Sequence, residues 1–139
     1  MNIVPSQGAG EIRFGMQPHH IKEVMGDQLT WEEWMGGNVN DGLYYSGIIF
    51  IFDKMYKSAP SRDGNLVEIW AHKNNKALIF QDTPLHQMTQ TKFTQLLEAE
   101  RKEYVLRDGV EFYVKEWNLE LAFNEDGSLN RLWLYGYPQ

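Results

Sequence analysis

Asp63-Gly64-Asn65-Leu66-Val67-Glu68-Ile69-Trp70 returns as Asp126-Gly127-Ser128-Leu129-Asn130-Arg131-Leu132-Trp133, with Asp-Gly, Leu and Ile/Leu-Trp in matching places. The agreement extends upstream. Phe52 ahead of the first Asp-Gly matches Phe123 ahead of the second, and Met16, Ile21, Val24 and Met25 lie 72 positions ahead of Met88, Phe93, Leu96 and Leu97. From Met25 to Phe52 is 27 positions and from Leu97 to Phe123 is 26, so the helix-to-strand spacing is kept to within one residue. Helices gathered ahead of meandering strands, twice over, predict an α+β fold. The expectation is a tandem repeat of helices followed by antiparallel strands, forming one curved sheet with the helices on one face. The two units run over about residues 10–80 and 81–137 of a single domain spanning 1–139.

A chain of 139 residues is long enough for one hydrophobic core and short for two. With five Trp in 14% aromatic content, not every ring can be enclosed, and some are expected at a recognition surface. The net charge of −6 argues against nucleic-acid binding, which needs clustered Lys and Arg, and suits a basic protein partner. The absence of cysteine excludes disulfides, Cys-ligated zinc and a thiol nucleophile. Met1 to Gly8 has neither the basic region nor the apolar run of a signal peptide, and no later apolar stretch approaches ~18 residues. A cytoplasmic protein that does not engage a membrane is therefore expected.

Along the chain, residues 1–13 read as a Gly-rich lead-in. Pro18 fits the first turn of a helix running to about Met25 and stopping at Gly26. Thr30-Trp31-Glu32-Glu33 has the spacing of a capping box, predicting a second short helix through about Met35, with a loop over Gly36 to Gly42. Leu43 to Tyr45 and Ile48 to Phe52 follow as strands, the second apolar on both faces and hence central. Lys54 to Arg62 reads as a surface-loop insertion, Leu66 to His72 as a strand, and Ala77 to Phe80 as a short strand. A helix is predicted from about Thr89 to Arg101, then strands at Val110 to Lys115, Leu119 to Phe123 and Leu129 to Tyr135, with another possible at Tyr104 to Leu106. Asp108-Gly109 and Asp126-Gly127 are hairpin signals.

Alternation assigns the faces of these strands, because neighbouring side chains point to opposite sides. Val110, Phe112, Val114, Leu119, Leu121, Phe123, Leu132 and Leu134 should pack beneath the helices. The opposite face then carries Glu111, Tyr113, Lys115, Glu120, Arg131, Trp133 and Tyr135, with Glu68, Trp70 and His72 from the first unit. Large aromatics mixed with charges resemble the centre of a protein-binding surface. The competing reading is an ordinary solvated sheet face whose aromatics shield cross-strand pairs.

Catalytic chemistry finds little support. His19 and His20 are adjacent, so on a helix they diverge by about 100°, whereas a shared metal wants ligands three or four apart. Glu32 and Glu33 diverge in the same way, and Gly36-Gly37-Asn38 precedes a strand, whereas a phosphate cradle opens a helix. No metal, no cofactor and no enzymatic activity are expected. The alternative is a small-ligand or enzymatic domain using a cleft between the units, with Trp31, Glu32, Trp34 and Asn38 as secondary candidates.

Phe14-Gly15-Met16 followed by Ile21-x-x-Val24-Met25-Gly26 resembles the opening motif of the β-lactamase-inhibitor-protein-like superfamily. That resemblance implies a helical pair before a curved antiparallel sheet, used in tandem by the inhibitors, and protein binding through the concave aromatic face. This chain departs from the inhibitors in lacking cysteines and in carrying His86-Gln87-Met88 where the first unit has Gly15-Met16. A compact acidic domain without recognisable catalytic residues but with an aromatic, charged sheet face leads to the expectation of a small inhibitor of the immunity kind, neutralising a basic bacterial toxin domain by direct binding.

Overall fold

The computed structural model describes residues 1–28, 32–35, 42–57 and 59–137. Its elements follow in the order β1 (Ile3–Val4), β2 (Gly8–Ala9), β3 (Ile12–Arg13), α1 (Pro18–Met25), β4 (Gly42–Tyr45), β5 (Ile48–Phe52), β6 (Met55–Tyr56), β7 (Ala59–Pro60), β8 (Leu66–His72), β9 (Ile79–Phe80), β10 (Thr83–Pro84), α2 (Gln90–Ala99), β11 (Val105–Arg107), β12 (Glu111–Val114), β13 (Leu119–Phe123) and β14 (Leu129–Tyr135). The fold is α+β, and its main sheet has seven antiparallel strands in the order β11-β12-β13-β14-β8-β5-β4.

Local chemistry explains both helices. Pro18 opens α1, where its missing N–H costs nothing, and Gly26 closes it at φ 83°, a conformation that favours glycine. Thr89 caps α2 by accepting from the Lys92 amide at 3.2 Å, an interaction worth about 1 kcal/mol. Ile21 from α1 and Phe93 and Leu97 from α2 are buried in the main core beside Phe50, Ile69, Leu121 and Leu132 of the sheet. Each fully buried side chain of this kind contributes roughly 1.5–3 kcal/mol.

The central strands obey the alternation read from the sequence. In β8, Leu66, Ile69 and Ala71 are buried; in β14, Leu129, Leu132 and Leu134 are. Both edges of this central pair continue alike: β5 pairs with β8 through Phe50↔Ile69, and β13 with β14 through Leu121↔Leu132. Irregularities in register fall between Ile51 and Phe52 and between Ala122 and Phe123.

Several expectations need correction. The lead-in is a three-stranded sheet of β1, β2 and β3, because Ala9 and Ile12 are buried and their backbone must be paired. The second short helix is a 3-10 turn at Glu33–Met35, and its supposed cap Thr30 lies outside the described residues. The 54–62 insertion contains a two-stranded hairpin of β6 and β7. Ile79–Phe80 pairs with Thr83–Pro84 outside the main sheet. Val110 and Lys115 fall outside β12: Val110 ends the Arg107 turn with a 3.1 Å bond to its carbonyl, and Lys115 begins a 3-10 turn through Trp117.

The Asp-Gly pairs also differ from one another. Gly127 adopts φ 86°, the left-handed conformation expected of a hairpin turn, whereas Gly64 does not. At position 64 the constraint is space, because a Cβ there would fit tightly, 3.0 Å from the Lys54 carbonyl oxygen and 3.1 Å from that of Ser61. The inserted hairpin between β5 and β8 imposes that difference.

Candidate protein-binding face

Cross-strand pairing sets one continuous row on the face away from the helices: Tyr44, Ile49, Trp70, Trp133, Glu120, Tyr113 and Val105 are successive partners. Because side chains alternate, Glu68, His72, Glu111, Arg131 and Tyr135 stand on the same side two residues away. The structure therefore gathers most of the predicted recognition residues on one face. Lys115 departs from the strand at its end, as described above.

The two halves of this row have different surroundings. In the β5–β8 half, Ile49 and Ile51 are buried with Met35 in a second hydrophobic cluster, against which Trp34, Tyr44 and Trp70 pack. The segment supplying this cover is pinned by Glu32. Its carboxylate accepts from the Trp34 indole at 2.8 Å, the Gly47 amide at 2.7 Å and the Ser46 hydroxyl at 3.3 Å. Burial pushes the Glu32 pKa up, but these bonds and one from Asn74 outweigh it and hold the group below its ordinary value of 4.5. Trp34 also stacks on His72 with ring centroids 5.0 Å apart.

His72 is depressed below its ordinary value, chiefly by burial and then by the Lys73 and Arg131 charges, against the opposing pull of Asn74 and Glu32. Its Nδ1 accepts the Asn74 amide at 3.1 Å, which requires that nitrogen to be unprotonated. Trp70 and His72 are thus half-buried, Trp70 against the Met35 cluster and His72 against the Trp34 ring. Trp31 and Asn38 fall outside the described residues.

The β13–β14 half lacks such a cover among the described residues: Trp133, Tyr113 and Tyr135 are half-buried and belong to neither hydrophobic cluster. Arg131 lies over the Trp133 ring at 4.9 Å, a cation–π contact that holds its planar charge against the aromatic face. Tyr135 donates to Glu120 at 3.3 Å, and Arg107 reaches the same carboxylate at 3.8 Å. Burial, followed by the Glu120 and Glu68 charges, pushes the Tyr135 phenol far upward, keeping it a hydrogen-bond donor.

Tyr137 donates to Glu68 at 2.8 Å and borders a hollow of about 250 Å³ shared with Tyr113, Lys115 and Asn118.

Sequence reading missed the cover, although its signal is present. Ile49 and Ile51 fall on the same side as Trp70, whereas the corresponding neighbours of Trp133 are Glu120 and Ala122. Apolar side chains on that side demand a partner; Glu120 does not. Elsewhere, His20 Nδ1 accepts the Gln17 amide at the start of α1. Among the described residues there is no group of three or more His, Asp or Glu placed to hold a metal, and no helix is long and apolar enough to cross a membrane. No protein-family model, curated protein or solved structure matches this chain.

Proposed function

We propose that this chain is a small acidic inhibitor of the immunity kind, which neutralises a basic toxin domain by holding it against the β13–β14 half of its aromatic face. The observation carrying this reading is the contrast between Trp70, which packs against a cluster containing the chain's own Met35, and Trp133, outside both hydrophobic clusters. A protein that covers one apolar half-face with its own segment and leaves Trp133, Tyr113 and Tyr135 partly accessible has an aromatic surface suited to a partner. The net charge of −6 complements a basic partner and accelerates encounter.

The architecture proposed with this function is a tandem duplication in one domain, its two units joined into one curved sheet. Its support is the pairing symmetry about Trp70↔Trp133: exchanging the two strands turns Arg131↔His72 into Tyr135↔Glu68, both of which are pairs in the sheet. The matching register irregularities after Ile51 and Ala122 extend that symmetry outward. A cytoplasmic location fits neutralisation of a toxin inside the cell that makes it.

The test is titration of the purified chain against the protein encoded by the neighbouring gene, using wild type and Trp133→Ala. Binding that weakens at least about tenfold in a variant with intact unfolding behaviour supports the reading. No binding, or equal binding by both proteins, sinks it.

A further inference from the structure

The sheet has two edges, and their treatment differs. At β4, Leu43 and Tyr45 are buried, and the Tyr44 amide donates to Gln28 at 3.4 Å. At the other edge, Tyr104 just ahead of β11 and Val105 and Leu106 within it are 41%, 53% and 45% exposed. Among the described residues no strand pairs with the outer side of β11. An open apolar edge with available backbone donors and acceptors is a template for another strand, a hazard that proteins usually suppress.

The sequence around this edge identifies the strand that fits it. Glu103-Tyr104-Val105-Leu106-Arg107 is complementary to itself when reversed. An antiparallel partner centred on Val105 places Val105 opposite Val105, Tyr104 opposite Leu106, and Glu103 opposite Arg107 at both ends. Directly opposed residues lie about 5 Å apart, close enough for each carboxylate to meet a guanidinium. A hollow of about 200 Å³ lined by Glu103, Tyr104, Val105, Tyr113 and Lys115 opens beside this position.

The geometry points to a second copy of this chain as the occupant of the β11 edge, joining two seven-stranded sheets into one continuous sheet about a two-fold axis at Val105. The short edge makes this a weak, concentration-dependent dimer. It leaves Trp133 uncovered and is independent of the proposed inhibitor function.

Sedimentation of the full chain from about 1 µM to about 1 mM tests the proposal. Wild type should pass from monomer to dimer. Glu103→Arg or Arg107→Glu alone should raise the dissociation constant about tenfold or more, because each sets like charges opposite one another at both ends. Mixing these two variants should restore association, since in the heterodimer the two positive side chains of one copy face the two negative side chains of the other. A monomer throughout the range, or a dimer indifferent to both reversals, overturns the proposal. Failure of the mixture to associate when each variant is folded overturns it as well.

Discussion

Trp70 and Trp133 stand directly opposite one another across the β8–β14 pair, yet Trp70 packs in a hydrophobic cluster with Met35 while Trp133 belongs to none. Equal sequence settings have acquired unequal environments. Truncating them should therefore have different consequences. Trp70→Ala is expected to cost about 3 kcal/mol of stability by removing a ring packed against Met35, Ile49 and Ile51, whereas Trp133→Ala should lose less stability and more partner affinity. Denaturant unfolding of both variants checks the first part. Equal stability losses would contradict the assigned difference in packing.

Glu32 holds the covering segment through bonds to Trp34, Ser46 and Gly47. Glu32→Gln keeps the shape but removes the charge from these bonds, and solvent screening limits the loss to about 1 kcal/mol. Trp34 should then become more exposed, seen as a red shift in tryptophan emission absent from Trp34→Phe. An unchanged spectrum and midpoint would show that the carboxylate does not hold the segment.

The depressed pKa of His72 makes stability depend on mild acidification. The unfolded histidine titrates near 6.5 and the folded one below it, so the unfolded chain binds the proton first as pH falls. The contribution is complete above the unfolded value and is lost as pH falls through the folded value. Wild type should lose more stability between about pH 7.5 and about pH 5.5 than His72→Gln. Parallel losses in the two proteins would refute the assignment.

Glu111 is exposed beside the open half of the face. Glu111→Lys should slow association with a basic partner by several-fold at low salt, with a smaller effect on dissociation, because a rim charge acts mainly through steering. Stopped-flow association at two salt concentrations measures this. A change confined to dissociation would place Glu111 within the contact itself.

Much of the fold was legible because its causes are local. Pro18 and Gly26 bound α1, Thr89 caps α2, and alternation along Leu66 to His72 and Leu129 to Tyr135 reveals both strands and their buried sides. The same alternation placed Trp70 and Trp133 opposite the helices. Local pattern could not decide what covers them. Glu32 finds its partners at Ser46 and Gly47, and the Trp34–Met35 segment packs on one half of a sheet whose central strands come from the middle and the C-terminal part of the chain. Hydrogen-bond chemistry and alternation are written residue by residue, so the sequence determined the long central strands, their faces and the start of each helix. Cover over a sheet face depends on which distant segment fits it, and only the tertiary structure decided that half-buried Trp70 packs against a hydrophobic cluster while Trp133, half-buried as well, packs against neither.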